Sequence, residues 1–398
     1  MSEPQAIQKD VTKTLSRRNV LRAAIAAGGA AALGFPNIVK AQGVTNMRWQ
    51  STWPTKDIFH EFALDFAHKV NDMTGGDLKI EVLPAGAVVP AFGVLDAVSK
   101  GTLDGAHGVL SYHYGKSNAL ALWGSSPAYG MDANMILAWH RYGGGKELLN
   151  KIYNSLGANV VSFPYGPMPT QPLGWYKKPV TKAEDFKGMK FRTVGISIDL
   201  FQGMGASVNA LPGAEIVPAM DRGLIEAAEF NNASSDRALG FQDVSKVCML
   251  QSYHQNGEQF EIIFNKTKFD TLPEKMRAII AYAVDAASAD MSWKAIDRYS
   301  KDYVELQTKE KVRFYRTPDS VLQKQLEIFD QVETKKSAEV PMFKEVAESC
   351  SAKVEFKTLL RAALARGAFL PAGGRLESAR AVPICAEGIV FLSFFRIA

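Results

Sequence analysis

The sequence predicts an α/β protein of two lobes with one long helix that spans both. Three observations support this fold class. Strand-like and helix-like segments alternate through the first third of the chain, and a second alternating unit starts near Tyr165. Such alternation is typical of a parallel sheet covered by helices on its faces. From Glu274 to Tyr315 the pattern is helical without glycine or internal proline. A helix of that length measures roughly 60 Å, which is too long for one small domain.

The first unit opens with a strand pattern over Met47–Trp53. Apolar residues spaced three or four apart then predict an amphipathic helix over Asp57–Met73, which a pair of glycines ends. The remaining segments of this unit are a strand over Leu78–Leu83, a helix over Val94–Lys100, a strand over Gly105–Leu110, a helical pattern over Met135–Leu156 that three glycines interrupt, and a strand over Asn159–Phe163.

The second unit contains the stretch Met168–Arg192, in which two strand patterns flank a short helical segment. An apolar strand over Phe260–Asn265 is predicted to return to the first unit. We therefore expect lobe I at residues 42–165 plus about 250–272, and lobe II at residues 166–249. The other elements predicted in lobe II are a helix over Ile198–Met204, a strand over Val208–Leu211, a helix near Glu215–Ile225 and a strand run that contains Glu229.

Residues 273–350 are predicted to form long connecting and C-terminal helices. Thr271 and Glu274 have the spacing of a capping box, with a proline at an early position, so they predict where the long helix begins. Thr317-Pro318 opens a further helix to about Ser349, with a break at Pro341. Residues 351–398 form an atypical tail that ends in an apolar run, and too few residues separate its charges to predict a spanning helix.

The N-terminus carries a targeting signal. Residues 16–22 read Ser-Arg-Arg-Asn-Val-Leu-Arg, which is a twin-arginine sequence. A small, weakly apolar segment over Ala23–Phe35 follows, and Val39-Lys40-Ala41 has the form of a cleavage site. We therefore expect residues 1–41 to be a signal peptide and the mature protein to lie in the periplasm.

Charge and motifs exclude several functional classes. The formal net charge is +5, but residues 42–356 contain 34 basic and 37 acidic residues, so the body of the chain has no nucleic-acid-binding character. The three cysteines are too widely spaced for a metal motif or a disulfide framework. The chain also contains neither a phosphate-binding loop, nor a helical zinc motif, nor a nucleophile elbow.

A few polar residues within apolar runs remain as candidates for chemistry. Arg192 interrupts an apolar alternation, and a planar guanidinium is suited to grip a carboxylate through two parallel hydrogen bonds. Gln171 and Glu229 offer hard oxygens, which suit sodium or calcium. From pattern alone, an ordinary surface arginine and two satisfied core polar residues explain the same positions.

The chain resembles the substrate-binding subunits of TRAP transporters, the tripartite ATP-independent periplasmic carriers, and among them the branch that binds 2-oxo monocarboxylates. The resemblance covers about residues 44–350. It differs from that branch where Phe230 stands in place of a tryptophan. Besides the twin-arginine leader, the segments that carry it are Tyr112-His-Tyr-Gly-Lys116, Gln171-Pro-Leu-Gly-Trp-Tyr176, Lys187-Gly-Met-Lys-Phe-Arg192, Pro218-Ala-Met-Asp-Arg-Gly-Leu-Ile225 and Glu229-Phe-Asn231.

The resemblance implies two lobes that close on a small carboxylate and deliver it to the membrane subunits of a permease. It implies that Arg192 grips the carboxylate and that a bound cation, calcium or sodium, bridges protein and ligand. It leaves open whether two copies pair. The implied cation ligands are Gln171, Glu229, the Phe230 carbonyl and either Gln255 or Glu258, and the further implied substrate contacts are Gln171, Tyr112, Trp175 and Asn231.

Two alternatives remain at this point. The same receptor could take an aromatic or larger acid, with Phe230, Trp175 and Tyr112 as pocket walls. Less favoured is a periplasmic enzyme that uses the cation as a Lewis acid on a small acid. No catalytic motif supports that reading, so we expect a protein that is not an enzyme.

Overall fold

The computed structural model describes residues 43–125 and 129–352. The predicted signal peptide and the predicted tail beyond Ala352 lie outside the described residues. All elements named below belong to one compact unit that begins at Thr45. Among the described residues, no helix combines the length and the apolar character that a bilayer crossing requires.

The first elements follow the predicted alternation. The first helix among the described residues begins one residue after the predicted start. The Asp57 side chain caps it by accepting from the Phe59 N–H, and its apolar face is buried. The segment Leu110–His113 after the third strand forms a turn of 3-10 helix. The elements are β1 (Thr45–Ser51), α1 (Ile58–Met73), β2 (Leu78–Leu83), α2 (Val94–Ser99) and β3 (Gly105–Val109).

Three helices lead from there to the next strand. α3 (Asn118–Ser125) was not predicted, because nearly all its side chains are buried and its sequence has no amphipathic period. The predicted glycine break separates α4 (Ala133–Tyr142) from α5 (Gly145–Ser155) at Gly144, whose φ of 86° favours glycine. β4 (Val160–Met168) follows.

The first sheet has the order β2-β1-β3-β10-β4, where β10 is Glu258–Asn265. β1 pairs in parallel with both β2 and β3, as the alternation predicted. β10 runs antiparallel to β3 and to β4. The prediction that β10 returns to the first unit is therefore confirmed, and the sheet is mixed rather than wholly parallel.

The second sheet forms from shorter strands. Two of its strands, β9 and β11, were not predicted because their runs are short and lack alternation. Its order is β11-β9-β5-β8-β6-β7. Its elements are β5 (Gly174–Tyr176), β6 (Lys190–Arg192), α6 (Ser197–Gly203), β7 (Ser207–Asn209), α7 (Gly213–Asp221), β8 (Ala227–Ala228), α8 (Ala233–Leu239), α9 (Phe241–Val244), β9 (Val247–Leu250) and β11 (Arg313–Arg316).

The long helix exists but is shorter than predicted. After α10 (Lys266–Asp270), α11 runs over Glu274–Thr308. The prediction that it continues to Tyr315 was wrong, since Lys311 has a φ of 58° and β11 then pairs in parallel with β9. The predicted capping box was wrong too, because Pro273 occupies the N-cap and makes no side-chain cap bond.

α11 packs against β4 and α1 of the first sheet and against α8 beside the second sheet. The predicted spanning of both lobes by one helix is therefore confirmed. Beyond β11, the predicted helix break occurs at Pro341. It separates α12 (Asp319–Glu339) from α13 (Pro341–Ala352), which packs on α3.

Candidate functional site

Polar side chains from the edges of both sheets meet in one buried cluster. Each exposes at most 8% of its surface. The turn after β3 and the start of β10 contribute from the first sheet, and the ends of β6 and β8 contribute from the second. The cluster consists of Ser111, Tyr112, Gln171, Arg192, Glu229, Gln255 and Glu258.

Arg192 and Glu229 form the charged centre of the cluster. Arg192 Nη1 donates to Glu229 Oε1 over 2.9 Å and to the Glu229 carbonyl over 2.8 Å, and its Nε donates to the Leu211 carbonyl. Both side chains are 1% exposed. Parallel pairing of β6 with β8 places the two residues side by side. The apolar alternation around Arg192 thus reflects a buried strand. Its guanidinium is buried with the strand, and the Glu229 carboxylate balances its charge.

A second carboxylate faces this pair from the first sheet. Glu258, at the start of β10, accepts a hydrogen bond from the Ser111 hydroxyl and another, over 3.0 Å, from Gln171 Nε2. The Gln171 backbone N–H donates to the Gln255 carbonyl over 3.2 Å. The loops around residues 171 and 255 are therefore held together at the cluster.

Burial perturbs the acids of the cluster. It raises the pKa of Glu258 to about 7, a shift that the Ser111 hydroxyl opposes and the nearby Glu229 carboxylate supports. Burial also raises the pKa of Glu229, while the Arg192 guanidinium opposes that rise. Two buried acids that share one arginine leave the cluster short of positive charge when both are ionised.

Several buried polar atoms of the cluster lack the partners that native interiors normally supply. Among the described residues, Arg192 Nη2, Gln171 Oε1, Glu229 Oε2 and Gln255 Oε1 have no hydrogen-bond partner of acceptable geometry. Each such atom costs about 1–3 kcal/mol when nothing compensates. A concentration of them in one place indicates a position that a ligand, ion or water completes.

The unpartnered atoms fit a hard cation beside an anion. Three of them are oxygens from amide or carboxylate groups, which are the donors that sodium and calcium prefer. Arg192 Nη2 contributes two N–H donors suited to a carboxylate. In the described part of the chain no group of three His, Cys, Asp or Glu could hold a metal, so a cation here needs amide or backbone oxygens besides a carboxylate.

Tyr112 connects this cluster to the second sheet. Its hydroxyl accepts a hydrogen bond from the Gly213 N–H over 3.2 Å, and its ring packs edge-on against Phe92. Burial raises its pKa, which the Arg192 charge opposes. Tyr112 and Arg192 are thus close enough to interact electrostatically, although Tyr112 follows β3 of the first sheet and Arg192 ends β6 of the second.

The remaining predicted residues lie around the same region. Phe230 follows Glu229, and the Arg192 guanidinium lies 5.6 Å from its ring centroid. Trp175 donates from its indole nitrogen to Asp236 over 2.7 Å and packs on Phe241. Asn231 accepts from the Asn232 side chain.

Sequence reasoning missed two residues of this region. Ser111 reaches Glu258 from a turn where a serine carries no pattern signal. His254 lies beside Phe201, and burial lowers its pKa to about 3, with a smaller contribution from the Arg192 charge. A histidine next to an expected cation ligand in the chain was a usable signal for the second.

Comparison with known proteins adds independent evidence. The family model of DctP, bacterial extracellular solute-binding protein family 7, matches residues 50–339. A monocarboxylate 2-oxoacid-binding periplasmic protein of Nostoc sp. is 35% identical over 283 residues, which cover 70% of this chain and 77% of that protein.

Solved structures agree in fold. A TRAP transporter solute-binding protein from Bordetella bronchiseptica, a dimer with calcium and picolinate, matches with a TM-score of 0.76 and 25% identity, covering 82% of this chain and 98% of that one. A TRAP periplasmic solute-binding protein from Pseudoalteromonas atlantica, with sodium and pyruvate, matches with a TM-score of 0.74, 26% identity and the same coverage.

Proposed function

The chain belongs to the DctP family of bacterial extracellular solute-binding proteins, as the periplasmic receptor of a TRAP transporter, and we propose that its cargo is a small 2-oxo or 2-hydroxy acid of the pyruvate type. Its role is to bind this carboxylate and deliver it to the membrane permease. The lobes that close on the ligand are residues 42–165 with about 250–272, and residues 166–249.

The observation that carries the proposal is the set of unpartnered buried atoms. Arg192 Nη2 presents donors, while Gln171 Oε1 and Glu229 Oε2 present acceptors, within one buried cluster. A short acid with a second oxygen next to its carboxylate matches both when a cation accompanies it. The 2-oxoacid-binding protein of Nostoc sp. and the pyruvate-bound protein of Pseudoalteromonas atlantica support this cargo.

Arg192 acts through the donors that the protein leaves free. Its Nε and Nη1 are committed to Leu211 and Glu229, so the donors left for a carboxylate are those of Nη2. The protein contacts hold the guanidinium in place before the ligand arrives. This preorganisation reduces the entropy that binding would otherwise lose.

The cation ligands that we propose are Gln171, Glu229 and the Phe230 carbonyl, with Gln255 or Glu258 as a fourth. Sodium or calcium at these oxygens supplies the positive charge that two buried acids beside one arginine lack. Tyr112, Trp175 and Asn231 complete the site on the ligand side. Solved relatives contain calcium or sodium beside their carboxylates, which supports a cation here.

A second class of cargo, aromatic carboxylates, could bind at the same residues. The relative from Bordetella bronchiseptica holds picolinate, an aromatic carboxylate. Phe230, smaller than a tryptophan, lies beside Arg192 and leaves more room for a ring. An aromatic acid is therefore the second candidate.

We propose further that the acid is carried without conversion. A transport receptor must deliver its ligand unchanged to the permease. The centre of this site is the Arg192–Glu229 ion pair, in which each charged group already has a protein partner. Proton NMR of pyruvate incubated with the protein is expected to show no product after many hours. Conversion that scales with protein concentration would contradict a pure receptor.

We also propose that two copies pair through α11. This helix exposes Tyr282, Trp293, Ile296 and Val304 by 72, 69, 59 and 48%. Trp293 lies eleven residues, about three turns, after Tyr282 and the same distance before Val304, so the three side chains share one face of the helix. If two copies of α11 pair antiparallel about a two-fold axis at Trp293, Tyr282 of each copy lies against Val304 of the other.

The relative from Bordetella bronchiseptica is a dimer, which supports this pairing. Light scattering is expected to give twice the chain mass for the wild type and one chain mass for Trp293→Glu. A wild type that stays monomeric at high concentration would exclude the pairing.

A thermal-shift screen tests the cargo. Pyruvate, 2-oxobutyrate, lactate, picolinate and succinate are added with calcium, with sodium, and with chelator in sodium-free buffer. A ligand at about 100 times its Kd adds about 2.7 kcal/mol, which raises the Tm by several degrees. We expect the shift for the short 2-oxo acids, and no shift with chelator. A shift for picolinate alone would select the aromatic cargo.

A further inference from the structure

The turn Ser111–Tyr114, which we name the bridging turn, contacts the loop and helices beside the second sheet through three of its four residues. Ser111 approaches Gly195, where a Cβ would lie 2.9 Å from the Ser111 Cβ. Tyr112 accepts from the Gly213 N–H. The Tyr114 hydroxyl donates to Asp199 on α6 over 2.8 Å. The turn itself follows β3 of the first sheet, so it connects the elements of the first sheet with those of the second.

The other residue of the turn ties it to the first sheet. His113 Nε2 lies 2.6 Å from Glu261 Oε1 on β10, and both side chains are at most 3% exposed. Glu261 Oε2 accepts hydrogen bonds from Ser162 on β4 and from Tyr153 on α5. Three elements, β10, β4 and α5, therefore anchor the turn beside the first sheet through His113 and Glu261.

Tyr114 belongs to a three-residue cluster, which we name the triad. Lys336 Nζ on α12 lies 2.9 Å from Asp199 Oδ1 and 3.2 Å from the Tyr114 hydroxyl, and it sits over the Tyr114 ring. The Lys336 and Asp199 side chains are only 13 and 20% exposed. Among the described residues, the polar side-chain bonds of these three go to one another.

The triad also follows the ligand-gripping arginine in the chain. Asp199 lies seven residues after Arg192, on the helix that the segment after β6 enters. Gly195, with a φ of 64°, lets this segment pass directly over Ser111. The bridging turn and the segment from Arg192 to Asp199 thus contact each other at the buried cluster and again at the triad.

We propose that Tyr114, Asp199 and Lys336 form a latch that holds the closed lobes together and so slows release of the bound carboxylate without touching it. The proposal rests on the receptor function proposed above. Tyr114, Asp199 and Lys336 are positioning residues, which act on the ligand through Tyr112 and Arg192. Because the latch joins the two lobes, losing it favours the open state and accelerates dissociation.

The test compares Tyr114→Phe and Lys336→Met with the wild type by stopped-flow binding of pyruvate with calcium. We expect dissociation to become about tenfold faster, the size that one hydrogen bond to a charged group supports, with association nearly unchanged. The double variant is expected to match the singles, because the three groups act as one unit. Lys336→Arg keeps the charge and is expected to stay near wild type.

Lys324→Met on the same helix is the matched control, since Lys324 pairs with Glu327 at the surface. Dissociation rates of the latch variants equal to that of this control would overturn the proposal. So would a lower Tm in them without faster dissociation.

A wild type that binds none of the acids would refute the proposed cargo instead. The latch is then judged by X-ray scattering alone. It predicts a larger radius of gyration for both latch variants than for Lys324→Met, and equal radii would overturn it.

Discussion

Two buried acid–base pairs in this molecule differ in how completely they are satisfied. Arg192–Glu229 lies at the cluster between the sheets and His113–Glu261 lies inside the first half, and all four side chains are at most 3% exposed. Both Glu261 oxygens have partners, with His113 Nδ1 the one polar atom of that pair left open among the described residues. Arg192–Glu229 leaves a donor nitrogen and a carboxylate oxygen open.

This difference suggests that His113–Glu261 has a structural role and that Arg192–Glu229 is able to bind a ligand. A buried pair whose carboxylate is saturated by the protein stabilises one arrangement of the chain and has little left to offer a ligand. A pair in which some polar atoms have protein partners and others have none is held in position and can still bind a ligand through the open atoms. The predictions below test whether this distinction holds, from the largest expected effect to the smallest.

Arg192→Ala is expected to abolish measurable binding of pyruvate. Removing one partner of a buried charged contact costs about 2–5 kcal/mol, and Glu229 then also lacks its counter-charge. Calorimetry measures the loss, and Arg222→Ala, at an exposed position of the same half, is the control. Micromolar affinity in the Arg192 variant would refute the role of this residue.

Glu229→Gln is expected to weaken binding and cation dependence together, by about 1.5–3 kcal/mol. The amide keeps the shape of the side chain but loses the charge that attracts the cation and the arginine. Titrations with and without calcium measure both quantities, with Glu215→Gln at an exposed position as the control. Weaker binding with full cation dependence would move the cation away from Glu229.

Tyr153→Phe is expected to lower stability by about 1 kcal/mol and leave the Kd for pyruvate unchanged. It removes one of the bonds that saturate Glu261, and Ser162 and His113 remain. Urea denaturation and calorimetry measure the two quantities, and Tyr142→Phe, at an 89% exposed side chain, is expected to change neither. A large change in Kd would mean that the two pairs are not functionally distinct.

A third buried acid gives the smallest effect, in its pH dependence. Burial raises the pKa of Asp57 from 3.8 to about 7, although Ser235 donates to it. A raised folded pKa favours the protonated form, so this contribution to stability is present below about pH 4 and lost as the pH rises to 7. Asn at this position also caps a helix but does not titrate.

The difference in Tm between Asp57→Asn and wild type is therefore expected to grow in favour of the variant from pH 4 to pH 8. Asp221→Asn, at an exposed position, is expected to show no such trend. A pH-independent difference for Asp57→Asn would show that this acid keeps an ordinary pKa.

The sequence predicted the first half of the fold well. β2 has the predicted limits and α1 begins within one residue of the predicted start, because alternation, amphipathic spacing and glycines are strong local signals. α3 was missed because it is buried on all sides. The end of α11 was misplaced because Lys311 adopts a left-handed conformation without being glycine.

In the candidate site, too, local sequence patterns reveal single residues but not the contacts between distant ones. Arg192 and Glu229 were recognisable as charges within apolar runs, and the family resemblance implied the roles that we propose for them. The bond from Ser111 to Glu258 joins residues 147 positions apart, so no local pattern reveals it. Nor does a pattern distinguish Arg192–Glu229 from His113–Glu261, since both pairs read as polar residues in buried segments, and only the partners brought by folding tell them apart.

The most direct test of the central claim is calorimetric titration of pyruvate into the wild type in sodium-free buffer, once with calcium and once with chelator. If a cation and a carboxylate together complete the open atoms of Arg192, Gln171 and Glu229, the titration with calcium gives a stoichiometric binding isotherm. The titration with chelator gives heats of dilution alone. Equal affinity in the two titrations would contradict the claim that a cation completes this site.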